Sequence, residues 1–136
     1  MQQAIPAIRD LSKRILAEEA HTPFNAFEEL RQHLAKLVGI AGFQSLLARS
    51  LVLAKPEALW LLSVRVGSDG TLEEIHEGDP PPSEALVAEG CTALLAQFLA
   101  LLVTFIGESL TLQLVQEIWP TVRLNEMNSP SEETTT

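Results

Sequence analysis

Between Glu89 and Glu108 the chain carries no charged residue, and that eighteen-residue window constrains the fold more than anything else in it. The window is rich in Leu, Phe, Ala and Val. Its spacing predicts one long helix from about residue 82 to 120. Ser83 is placed to cap the N-terminus, and Pro120 removes an amide where the helix should stop. One bulky stripe runs Val87, Cys91, Leu94, Phe98, Leu101, Phe105, Leu112, Val115 and Trp119 in steps of three and four, continued through Glu108. A second runs Leu95, Leu99, Leu102, Ile106, Leu110, Leu114 and Ile118, and a third face is small, from Gly90 to Thr111. A helix with two bulky faces needs cover that a single amphipathic neighbour cannot supply.

A transmembrane reading of this window meets the length threshold of roughly 18 to 20 residues. Its flanks argue otherwise. Acidic residues bracket it, no Lys or Arg lies near either end, and no aromatic belt is present. The stripes also continue past Glu108, as in a packed soluble helix. The soluble reading is preferred, with membrane association disfavoured.

The rest of the chain reads as helical cover. Pro6 to Ala20 has Ile5, Ile8, Leu11, Ile15 and Leu16 on one side and Arg9, Lys13 and Glu19 on another, an amphipathic first helix broken at His21-Thr22-Pro23. Asn25 with Glu28 three residues on resembles a capping box. Phe27, Leu30, Leu34, Leu37 and Val38 then make an apolar face, and Phe43, Leu46, Leu47, Leu51 and Ala54 resume the period after Gly39 and Gly42. Residues 26–54 are therefore two helices, or one bent at the glycines. After Pro56 the period changes to two. Leu62, Val64 and Val66 alternate with polar residues, and Gly67-Ser68-Asp69-Gly70 signals a turn. With Gly70 left-handed in a three-residue loop, Val66 faces Leu72 and Arg65 faces Glu73.

The expected fold is thus mainly α: three to five helices around one long C-terminal apolar helix, with a β-hairpin at about residues 62–75. Residues 1–124 form a single domain. Residues 125–136 are polar and acidic without periodicity, the pattern of a disordered tail.

Charge is unevenly divided. Residues 1–55 hold seven basic and five acidic residues, whereas residues 56–136 hold two basic and thirteen acidic ones. The net charge of −9 repels polyanions and excludes nucleic acid as the expected partner. Attraction between the two halves, within one fold or across a dimer, is the preferred explanation. Charged Arg9, Asp10, Lys13 and Arg14 interrupt any apolar leader, so a cytoplasmic location is expected. The single cysteine, Cys91, falls in the bulky stripe and reads as a small buried hydrophobe.

No catalytic, cofactor or metal motif emerges. His21, His33 and His76 have no ligand spacing, and one cysteine builds no zinc cluster. Gly107-Glu108-Ser109 lacks the second glycine of a nucleophile elbow. With Gly70 at position six of a calcium loop, the ligand positions one, three and twelve hold Arg65, Gly67 and His76. The acidic run from Glu73 to Asp79 reads as a solvated loop, and Gly78 to Ser83 as an extended connector. Glu108 is the one charge that interrupts an apolar stripe. It is either a buried functional carboxylate or a rim residue opening a second helical segment after Gly107, and the second is favoured.

The expected function is a non-enzymatic regulatory or scaffolding interaction module that self-associates, as a dimer, through its long C-terminal helix. Leu94, Phe98, Leu101, Phe105, Leu112, Val115 and Trp119 are the candidate interface. The alternative is a sensor that binds an apolar small molecule between helices near Gly39, Gly42, Trp60 and Phe98.

Overall fold

The computed structural model describes residues 4–18, 24–74 and 83–122. Within them run α1 (Ala4–Glu18), α2 (Asn25–Ala54), two 3₁₀ turns (Lys55–Glu57 and Leu59–Ser63), β1 (Val64–Val66), β2 (Leu72–Glu74), α3 (Glu84–Ile106) and α4 (Glu108–Ile118). The chain is mainly α with one antiparallel hairpin, the class its periodicity predicts. The expected break at residues 21–23, the acidic loop beyond Glu74, the connector up to Pro82 and the C-terminal tail lie outside the described residues.

One long C-terminal helix is not what forms. The rod breaks at Gly107, which adopts φ 95° and ψ 157° and separates α3 from α4. Gly39 interrupts α2 in nearly the same conformation, with φ 81° and ψ 163°. This region of backbone space is open essentially to glycine alone. The breaks re-aim the helices. Leu34 and Phe43 are both fully buried, yet nine residues are two and a half turns of an unbroken helix, which would set them on opposite sides. Leu102 and Thr111, both buried, stand in the same relation across Gly107. Each glycine rotates the following segment so that its apolar side returns to the common core. The expected stripe was continuous through Glu108; it is in fact two stripes, rephased at Gly107.

The apolar face of α2 also ends earlier than expected. Leu37, expected on that face and one heptad beyond buried Leu30, is 71% exposed, because the core ends before the last turn ahead of Gly39. Asn25 does not serve as the cap. The helix starts from Phe24, which makes no side-chain capping bond, and Glu28 turns to Arg31 instead of reaching back. Ser83 does cap α3, its Oγ accepting a hydrogen bond from Leu86 N at 3.2 Å.

α3 lies at the centre, with α1 and α2 each packed along it. Ile8, Leu11 and Ile15 of α1 and Leu30, Leu34, Phe43 and Leu47 of α2 join Leu94, Leu95, Phe98 and Leu99 in one core. Phe43 and Phe98 meet at 5.4 Å between ring centroids with planes tilted by 53°, a geometry that adds about 0.5–1.5 kcal/mol beyond burial. Ser12, Ser50 and Thr111 are buried, and each hydroxyl donates to the carbonyl four residues back. Their polarity is therefore satisfied within their own helices.

The hairpin register is the predicted one: Val66 opposite Leu72 and Arg65 opposite Glu73. Arg65 Nε donates to Glu73 Oε1 at 2.9 Å, Gly70 has φ 84°, and Gly67 N bonds Thr71 O at 2.7 Å to close the three-residue loop. The loop leans on α2, with Gly70 beside Phe43 and Arg31. That contact gives a short hairpin the support it lacks alone.

The small face of α3 has a specific use. Gly90 is buried beneath the Trp60 ring, and a Cβ there would sit 2.4 Å from Trp60 Cε3 and 2.7 Å from Cζ3. Trp60 in turn stacks on Phe24 with ring centroids 6.0 Å apart. Because the indole is wedged between Phe24 and α3, Gly90→Ala should destabilise the fold by about 1–3 kcal/mol despite the better helix propensity of alanine. Urea unfolding followed by circular dichroism measures this; an unchanged or raised midpoint would mean that the indole moves freely.

Candidate functional site

Large apolar side chains are exposed at several places, among them Leu59, Leu37, Leu62 and the end of α3, and at the end of α3 they border a groove. Leu46 and Leu101, half-buried, and Phe105, 61% exposed, line an open groove of 380 Å³ between α2 and α3, with Ser45, Arg49 and Thr104 completing it. α2 supplies Ser45 and Arg49 from one helical face, and the same face continues one turn on with Val52, 66% exposed, and Leu53. Phe105 continues the face of buried Phe98 one heptad on and stands two residues before the Gly107 break. Beyond the break, α4 exposes Glu108 and Leu110.

Of the stripe expected to form an interface, Leu94, Phe98, Val115 and Trp119 are buried inside the chain's own core. Leu101 and Leu112 are half-buried, and Phe105 is the exposed member. The groove therefore holds two of the seven residues, Leu101 and Phe105. Glu108 is not a buried charge. It is exposed in the first turn of α4, where a carboxylate is favoured by the helix dipole. The four residues of the expected small-molecule pocket are separated by role: Phe98 is fully buried on Phe43, Trp60 covers Gly90, Gly39 has nothing within 4 Å of its Cβ direction, and Gly42 lies against Val38. Cys91 is buried in the core.

Periodicity places Leu46 and Thr104 on helix faces but singles out neither Ser45 nor Arg49 and joins none of the four, because a groove between helices is not a property of either helix alone. One signal was present. Arg49 is the single charge between Lys36 and Lys55, in a stretch otherwise apolar or small. A lone cation there marks the side of the helix that meets water.

Electrostatics around the groove are simple. From residue 30 to 56 the chain holds Arg31, Lys36, Arg49 and Lys55 and no acid, whereas α4 holds Glu108 and Glu117 and no base. Elsewhere the basic and acidic halves meet within the fold. Arg9 pairs with Glu57, whose other oxygen accepts from Gln97 Nε2 at 2.9 Å, so α1, the first 3₁₀ turn and α3 share one clasp. The pair is about one-third exposed on each side and is worth about 0–1 kcal/mol.

At the hairpin tip, Arg31 pairs with Glu28 and feels Asp69 as well. Among the described residues no group of three or more His, Cys, Asp or Glu gathers as a metal site. Two helical stretches, Asn25–Glu57 and Glu84–Ile106, are long and apolar enough by length and composition to cross a membrane, and half of the apolar window in the second is buried inside the fold. Compared with known proteins, the chain matches no family model, no curated protein and no solved structure.

Asp69 carries the clearest titration consequence. Its carboxylate accepts from Thr71 Oγ1 at 2.7 Å and from Thr71 N at 3.2 Å, and these bonds, the hydroxyl's first, hold its pKa below the ordinary aspartate value. A depressed folded pKa means that the turn gains stability above the unfolded aspartate pKa of about 3.9 and loses it as pH falls through the folded value. Thr71→Val should therefore move the Asp69 midpoint upward. An NMR titration of the Asp69 carboxyl reads this directly, and an unmoved midpoint would assign the depression to something other than the Thr71 hydroxyl.

Proposed function

We propose that the chain is a non-enzymatic regulatory or scaffolding module that self-associates through the open end of α3 and the adjoining face of α2. The observation that carries this reading is Phe105, a large aromatic held 61% exposed beside an apolar groove. Aromatic side chains flanked by shallow apolar pockets are the usual energetic centres of protein interfaces. The rim fits as well, since Ser45, Thr104 and Arg49 give a polar edge around Leu46 and Leu101. A closed dimer is the preferred assembly, because a symmetric pair covers the same patch on both copies.

Sedimentation of the full chain tests the proposal. The wild type should show a monomer–dimer equilibrium, and Phe105→Glu should remain monomeric with an unchanged circular dichroism spectrum, as expected for an exposed position outside the core. A wild type that stays strictly monomeric at every concentration would overturn self-association.

A further inference from the structure

Charge placement around the groove goes further and specifies how a second copy would sit. Arg49 lines the groove on the α2 side and is exposed, with no ion pair among the described residues. Glu108 stands exposed three residues beyond Phe105, also without an ion pair there. Arg49 thus lies in the groove lining, and Glu108 follows the groove's aromatic residue across the Gly107 break. Their surroundings are equally one-sided: α2 carries no acid after Glu29, and α4 carries no base.

We infer that the occupant of the groove is a second copy of this chain, docked about a two-fold axis near Phe105, with Arg49 of each copy facing Glu108 of its partner. Two-fold symmetry makes every contact occur twice, so one pair of residue types yields two ion pairs. Like charges in that register would be opposed twice, which makes the pairing selective as well as attractive. The uneven division of charge along the chain supports this choice, because the basic, apolar face of α2 finds its complement on α4 of an identical molecule. The inference rests on the self-association proposed above and adds its register.

The test is a charge swap on the full chain. Arg49→Glu alone and Glu108→Arg alone should each weaken the dimer by about a hundredfold, since each homodimer then holds two like-charged contacts. At concentrations where the wild type is monomeric, Arg49→Glu should leave thermal unfolding unchanged and Glu108→Arg should lower it only slightly, through the lost carboxylate at the α4 N-terminus. Mixing the two variants should restore a heterodimer at near wild-type affinity. The glutamate introduced in one copy then meets the arginine introduced in the other, and the unaltered Arg49 and Glu108 meet across the second contact. Analytical ultracentrifugation with one variant fluorescently labelled reads all three. A wild-type dimer that is lost on Phe105→Glu but indifferent to charge reversal, or reversed variants that the mixture fails to rescue, would overturn the register and leave self-association standing. A monomeric wild type would remove both. A monomer that binds phosphatidylserine vesicles through Arg49 would also overturn it and assign the face to an anionic lipid surface.

Discussion

Two glycines determine which residues of this chain face inward. Gly39 and Gly107 hold the same left-handed, extended conformation, and each stands in the middle of what would otherwise be one long rod. Without these breaks the apolar positions on either side would point in opposite directions, because nine residues are half-integral in turns. A continuous α2 would set Leu34 and Phe43 on opposite sides of the rod, and a continuous C-terminal helix would do the same to Leu102 and Thr111. The Phe43–Phe98 contact at the centre depends on the first break, and the return of Leu114 and Val115 to the core depends on the second. The glycines have little role in close packing here, since nothing lies within 4 Å of where their Cβ atoms would be. Their contribution is conformational.

Periodicity gives the hairpin its register but starts its first strand too early, since Leu62 and Ser63 belong to the 3₁₀ turn Leu59–Ser63, and it gives the helices in part. Hairpin register follows from a period of two and a turn of fixed length, both local, so Arg65–Glu73 and Val66–Leu72 were legible from about a dozen residues. The stripes of α3 were also legible, because Cys91, Leu94 and Phe98 recur at helical spacing within one uninterrupted segment. The phase across Gly107 was not. Steps of three and four can be continued through almost any apolar sequence by choosing among neighbouring residues, and the choice of Leu112 after Phe105 concealed a half-turn error. The capping assignment at Asn25 failed for a different reason: the spacing to Glu28 was right, but Arg31 offered that carboxylate a charged partner one turn ahead. The groove was illegible in principle, since Arg49 and Phe105 are brought together only by the packing of α2 on α3.

The small face of α3 shows how a pattern can be read correctly and its purpose missed. Gly90 does allow a close approach, but the approaching group is the Trp60 ring of the same chain and not a second backbone. With Gly90 to Leu102 largely enclosed by α1, α2 and the 3₁₀ segment, the apolar excess of this helix is mostly covered internally. What remains outside is concentrated at its C-terminal end.

Large apolar side chains stand exposed on both sides of each break, Leu37 and Ile40 around Gly39 and Phe105 and Leu110 around Gly107. The two sites are not equivalent, however. Around Phe105 a second helix supplies Leu46 and Arg49 to form a concave, partly polar surface. Aromatic side chains beside shallow apolar pockets are the kind that contribute most to protein interfaces. Leu37 and Phe105 are both exposed, and Phe105 is set in a groove that two helices build together.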